Sequence, residues 1–178
     1  LSRSLENTIE DQFEQFGANR ILISAKGFQG PGTLSQGLSI EDVEVIDKIS
    51  GLEYVIPGIF RSGEVVYKDE IGFTLIGGIP SENYEEFYED TGIEIEEGRN
   101  IQEDENYVAI IGSRVATEMF AKDIHVGDKI EIGHIDFRVV GILEELGNAQ
   151  DDNQISIPLD AAREVFQEEE SVDLIIAQ

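Results

Sequence analysis

The chain has 178 residues, enough for one domain or two small ones. It carries 38 acidic against 12 basic side chains, a formal net charge of −26, and no cysteine. These numbers exclude unaided nucleic-acid binding and peripheral contact with anionic lipid, because too few cations face the phosphates, and they exclude disulfides, thiol catalysis and thiolate metal sites.

No apolar run approaches the roughly 20 residues that a membrane helix needs. The chain opens at Leu1 with no signal-peptide pattern, so it reads as a piece of a longer protein. Residues 1–17 pattern as an amphipathic helix, with Leu5, Ile9, Phe13 and Phe16 on one face and Gly17 as the stop. A short apolar strand is predicted over residues 20–25, followed by a Gly-rich loop over 26–37. Ser39 and Asp42 form a capping-box pattern at the head of a helix. Its expected buried stripe is Ile40, Val43, Ile46 and Ile49, and Gly51 ends it.

Residues 53–79 pattern as a three-stranded meander, with strands at 54–60, 64–68 and 73–79. Its turns fall at Ser62-Gly63 and Asp69-Glu70. A short acidic helix over 82–90 follows Pro80-Ser81. Residues 93–98 give a short strand and turn, and the run Tyr107–Gly112 gives a buried strand. Ser113 is expected to cap a helix over 114–121 whose Val115, Met119 and Phe120 face inward. Two alternating segments around Gly133-His134 predict a hairpin over 129–143. Residues 145–153 read as a polar loop and residues 155–159 as a strand end with Pro158. Asp160 is expected to cap a helix of about eight residues. A last apolar strand, 172–177, is expected to return to the first sheet. The fold class is therefore α+β, in two lobes with the second inserted into the first.

Motifs of chemistry are few. There is no phosphate loop and no dinucleotide fingerprint. Gly112-Ser113 lacks the spacing of a nucleophile elbow. His125 and His134 both fall in turns, without zinc-ligand spacing. The pairs Glu85-Glu86, Glu96-Glu97, Glu144-Glu145 and Asp151-Asp152 are adjacent in sequence, and neighbours on a strand point to opposite faces, so they read as solvated surface. Asp151-Asp152-Asn153 offers oxygen ligands for calcium only loosely, because the EF-hand pattern and its Gly are absent. Tyr84, Phe87 and Tyr88 share one helix face and are expected to pack. No catalytic, metal or cofactor residue is assigned, and no cofactor is expected.

An ordered series in the second half resembles a known family. It runs Gly98-Arg99-Asn100-Ile101, Tyr107-Val108-Ala109-Ile110-Ile111-Gly112, Val115-Ala116, Met119-Phe120, Val126-Gly127-Asp128-Lys129-Ile130, Gly133, Phe137-Arg138-Val139-Val140-Gly141-Ile142-Leu143 and Ile155-Ser156-Ile157-Pro158-Leu159. This is similar to the extracytoplasmic core domain of MacB/FtsX-type ABC transporter permeases. Residues 39–57 resemble the same family's first-lobe pattern. Asn100-Ile101 departs from the usual Phe region, and Val126-Gly127-Asp128 lacks the usual Pro.

The resemblance implies a porter-like αβ lobe, about 1–91 plus 171–178, and a smaller strand-rich lobe, about 92–170, inserted into it. It implies a non-catalytic domain on the outer face of the cytoplasmic membrane, anchored by flanking transmembrane helices. Its partners would be the rest of the permease, a cytoplasmic ABC ATPase, an accessory export protein and a second permease copy, with no nucleic acid. The role implied is transmission of ATP-driven motion. The alternative is a free-standing secreted module that binds a ligand or cation.

Overall fold

A computed structural model describes residues 20–25 and 37–178. The expected helix over 1–17 lies outside the described residues, as does most of the loop over 26–37.

Eleven strands are described. They are β1 (Ile21–Ser24), β2 (Leu38–Ser39), β3 (Val55–Tyr67), β4 (Glu70–Ile79), β5 (Ile95–Gly98) and β6 (Val108–Ile111). The rest are β7 (Lys129–Ile132), β8 (Ile135–Leu143), β9 (Gln154–Pro158), β10 (Ser171–Val172) and β11 (Leu174–Ala177). The helices are α1 (Ile40–Asp47), α2 (Tyr84–Thr91, entered through a 3-10 turn, Ser81–Asn83), α3 (Ser113–Thr117), α4 (Ala149–Asp152) and α5 (Leu159–Phe166). The mixture is α+β, as expected.

The main sheet runs β1-β11-β3-β4-β9-β6-β8-β5, and β7 pairs with both β3 and β8. That last pairing closes a ring of six strands, β3-β4-β9-β6-β8-β7, back onto β3. β9 lies parallel to β4 and antiparallel to β6. All six ring strands send apolar side chains into one cluster. It contains Ile59 and Val65 of β3, Ile76 of β4, Ala109 and Ile111 of β6, Ile130 and Ile132 of β7, Phe137 and Val139 of β8, and Ile155 and Ile157 of β9. Val115 and Ala116 of α3 and Ala161 and Ala162 of α5 join the same cluster.

A second cluster packs on the outside of the ring. It joins Ile56, Ile79, Ile110, Val140, Leu143, Leu174 and Ile176 to Tyr84 and Tyr88 of α2. Side chains alternate along a strand, so Ile110 enters one cluster while Ala109 and Ile111 enter the other. Being buried on both faces is why β6 reads as an uninterrupted apolar run.

Two turns follow the local chemistry. His134 and Gly133 both have positive φ, the geometry of the two-residue hairpin turn expected there. Lys68 and Asp69 do the same at the tip of β3–β4, one residue earlier than expected. The capping box at Ser39 is formed in full, with the Asp42 amide bonded to Ser39 Oγ and the Ser39 amide to Asp42 Oδ2.

Several expectations are corrected. The predicted turn at Ser62-Gly63 does not exist, and β3 runs straight through it as one strand of 13 residues. Gly63 serves packing instead: a Cβ there would lie 2.5 Å from Ile76 Cδ1. The stripe of α1 is not buried, because no residue of that helix is, and Ile40 and Ile49 are exposed. Ser113 is the first helical residue rather than a cap; Gly112 occupies the cap position, and α3 stops at Thr117. Asp160 sits inside the first turn of α5, which Pro158 precedes. The loop over 145–153 contains the short helix α4.

The last strand does return as expected, since β11 inserts between β1 and β3. β3 and β4, from the segment 1–91, share the closed ring with β6 to β9, from the segment 92–170.

Candidate functional site

Because β1 and β11 are antiparallel, with Ile21 opposite Ala177, Arg20 and Gln178 lie side by side at one end of the sheet. The polar side chains there form a clamp. The Arg20 side chain is fully buried, and its Nη2 stands 3.0 Å from Asp90 Oδ2. Arg20 Nε donates to the Tyr54 hydroxyl at 2.7 Å, and Nη2 reaches the Phe87 carbonyl at 3.4 Å. The guanidinium also lies over the rings of Tyr54 and Phe87. The Tyr54 hydroxyl lies 2.6 Å from Asp90 Oδ2 and 2.8 Å from Gln178 Oε1, two acceptors for its single hydrogen.

Burial, and then the bond to Asp90, push the Tyr54 phenol up to about 12. The Tyr54 bond, and then Arg20, hold the Asp90 carboxyl below the usual range. The clamp therefore joins the start of β1, the approach to β3, the end of α2 and the last residue of β11's run. None of these partners is adjacent in sequence.

A second clamp lies one strand length away. Asp173 is buried, and it receives the Phe60 amide at 3.0 Å and a two-pronged contact from Arg61, with Nη2 at 2.9 Å and Nε at 3.1 Å. Glu168 takes the same Nη2 at 3.2 Å. The Asp173 amide donates to the Gly58 carbonyl. This locks the end of the segment after α5 and the start of β11 onto the middle of β3. A third contact ties the far end of β3 to the loop before β7. There the Tyr67 hydroxyl lies 2.6 Å from Asp128 Oδ2, which also accepts the His125 amide at 3.0 Å. The Tyr67 bond, and then the His125 amide, lower the Asp128 carboxyl.

The residues singled out from sequence fall elsewhere. Ser113, His125, Glu96 and Glu97 line one cavity of about 360 Å³ with Asp123. No hydrogen bond joins Ser113 to His125 among the described residues, and Ser113 Oγ is buried without a partner. His134 sits at its hairpin tip, 3.2 Å from Glu131. Asp152 is buried, accepts the Leu146 amide and faces Arg114 at 3.8 Å. Asp151 accepts from the Asn148 side chain, and burial, then its neighbour Asp152, raise its carboxyl. Glu144 accepts the Glu94 amide. Tyr84 and Tyr88 are buried and bond to β9, through the Ile157 carbonyl and Ser156 Oγ, so packing accounts for them. The two clamps were not legible from sequence, because nothing local marks Arg20, Arg61 or Asp173 as partners of residues so distant. The one available signal was that basic residues are scarce and these sit inside apolar runs.

No helix among the described residues is long and apolar enough to cross a membrane. The family description "MacB-like periplasmic core domain" matches residues 1–178. An ABC transporter permease of Methanocaldococcus jannaschii is 33% identical over 177 residues, which are 98% of this chain and 44% of that protein. The macrolide export ATP-binding/permease protein MacB of Bdellovibrio bacteriovorus is 31% identical over 172 residues, 89% of this chain and 26% of that protein. The chain thus spans less than half the length of these relatives.

Among solved structures, the periplasmic region of MacB from Actinobacillus actinomycetemcomitans superposes with a TM-score of 0.71 at 18% identity, covering 96% of this chain and 79% of that one. The extracellular domain of the ABC-type transporter YknZ from Gram-positive bacteria gives 0.69 at 18% identity, covering 90% and 83%. At that identity the two structures speak for the fold alone. The family match over the whole chain identifies it as a member of the MacB-like periplasmic core domains of ABC transporter permeases, and the fold agrees.

Proposed function

We propose that this domain carries motion from the membrane part of a permease to a substrate or an accessory protein outside the cell. The observation that supports this reading most is the Arg20 clamp. It fastens Arg20 and Gln178 to each other's strands and to α2. A displacement delivered along either strand would pass into β3, and from β3 into the closed ring. In this reading the segments 92–170 and 1–91 plus 171–178, taken as an inserted lobe and a porter-like lobe, travel together because they share that ring. ATP hydrolysis would take place in a separate cytoplasmic ATPase, and two permease copies would act as a pair. The domain itself would supply no catalytic group.

The test is made in the whole permease with its ATPase, reconstituted in nanodiscs. A spin label on exposed Glu103 and another on the membrane part report their separation with and without ATP. An ATP-dependent change in separation, shrinking in Arg20→Ala while ATP hydrolysis continues, is the expected result. An unchanged separation would overturn the reading.

A further inference from the structure

The β3–β4 hairpin carries an apolar strip on its outer face. Ile71, Phe73 and Leu75 alternate along β4 and so share one face. Their cross-strand neighbours are Val66, Glu64 and Ser62. Ile71 is 62% exposed and Phe73 is 71% exposed, among the most exposed large apolar side chains described. The opposite face of the same strands is packed, with Gly72 against Met119 and Phe120. Before Leu75 the outer edge of β4 also pairs with no strand among the described residues, because β9 joins only from Leu75 onward. The sheet face is open, and a hollow of about 270 Å³ borders it at Glu64, Val66 and Glu131. Ile71 and Phe73 do not line that hollow, so the strip they form suits a protein segment better than a small molecule.

The charges around the strip are mostly negative. Glu64 stands opposite Phe73, Asp69 forms the turn, and Glu131 of β7 pairs with Val66, whereas Glu70 turns to the packed face and accepts the Ala121 amide. Two of the nearby cations have partners. Lys68 lies over the Tyr67 ring, 4.4 Å from its centroid, and Arg61 is held by Asp173 and Glu168. A second copy of this chain would bring another formal charge of −26 to an acidic rim, which opposes self-pairing here.

We propose that the outer face of β3–β4 docks a basic, amphipathic segment of a partner protein, whose apolar side covers Ile71 and Phe73 while its cations meet Glu64 and Glu131. The proposal rests on the reading of this domain as the outer, partner-facing part of a transporter. It adds the place and the chemistry of the contact. Burial of one phenylalanine and one isoleucine supplies the affinity, and the carboxylate rim supplies the orientation and the preference for cations.

The test uses the full 178-residue chain and a designed amphipathic helix of Leu and Lys as the probe, with its Leu and Glu counterpart as the control. Amide shifts in NMR and fluorescence anisotropy are the readouts. Saturable, salt-sensitive binding of the Lys probe is expected, with shifts centred on Val66, Ile71 and Phe73, and no binding of the Glu probe. The variant I71S/F73S should weaken the Lys probe by about tenfold or more, and E64Q/E131Q should flatten the salt dependence. Both variants change exposed or rim side chains, and an unchanged thermal midpoint verifies their folding.

Three results would overturn the proposal: no saturable binding, equal binding by I71S/F73S, or shifts spread evenly over the acidic surface. Concentration-dependent dimerisation that I71S/F73S abolishes would also overturn it, by giving the face to a second copy. Each of these leaves the ATP-dependent separation in the whole permease untouched, so the two readings fail independently.

Discussion

Replacing Asp173 by Ala should be among the most damaging single changes in this domain. The carboxylate is 2% exposed and balances Arg61, whose side chain is only 17% exposed. It also accepts the Phe60 amide in the middle of β3. Removing it leaves a mostly buried guanidinium without its main counter-charge and an amide without an acceptor. Breaking a buried pair from one side costs about 3–5 kcal/mol. Glu168 remains 3.2 Å from Arg61 and is partly exposed, which places the expected loss near the lower end, about 3 kcal/mol. For a chain of this length that corresponds to a fall of about 6–12 °C in Tm. Urea unfolding followed by circular dichroism measures the loss directly, provided the slope with denaturant is unchanged. Glu168→Ala is the control and should cost less than about 1 kcal/mol. If D173A loses no more than E168A, the reasoning that makes Asp173 the anchor of β11 on β3 is wrong.

Three further outcomes are expected. Gly98 has φ +88, and a side chain there would overlap the Val140 carbonyl, so Gly98→Ala should cost about 2 kcal/mol or more in the same unfolding assay. Tyr84→Phe removes a buried hydroxyl that donates to the Ile157 carbonyl at 2.6 Å and should cost about 1–2 kcal/mol, whereas Tyr107→Phe, exposed beside Glu164, should be near neutral. The third concerns pH. Asp90, Asp128 and Glu105 titrate below their unfolded values, so their contribution is complete above those values and fades as pH falls through the folded ones. Asp151 works in the opposite sense, gaining stability on acidification. Tyr54 and Tyr88 are pushed up to about 12, so their contribution is full below pH 10 and is lost as pH rises toward 12. Denaturant midpoints measured across pH, with phenolate absorbance at the alkaline end, check both limbs. Flat midpoints from neutral pH into the acid would refute the first.

Local chemistry made some of this legible. The Ser39 capping box, the Gly133-His134 turn and the run Tyr107–Gly112 each follow from a few neighbouring residues, and the structure has all three. The misreadings came where tertiary contacts outrank local preference. Ser62-Gly63 has the composition of a turn, yet Gly63 is there because Ile76 occupies the space a side chain would need. Ile40, Val43, Ile46 and Ile49 have helical spacing, and spacing alone cannot say whether anything packs on that face. The order of strands in the ring, with β9 parallel to one neighbour and antiparallel to the other, has no local signature. The clamps are less legible still, since Arg61 and Asp173 meet only after the whole sheet is assembled.

The place of β1 has a consequence for biogenesis. Its only strand partner among the described residues is β11, which comes almost at the other end of the chain. On the ribosome, β1 emerges before β2 to β10 and waits for all of them before β11 follows. Until β11 arrives, Ile21, Leu22 and Ile23 have backbone donors and acceptors with no sheet to join, and such unpaired edges invite misassociation. Completion of this edge of the sheet therefore waits for β11, and any chain truncated before Leu174 should persist with β1 unpaired, a species that chaperones and proteases recognise.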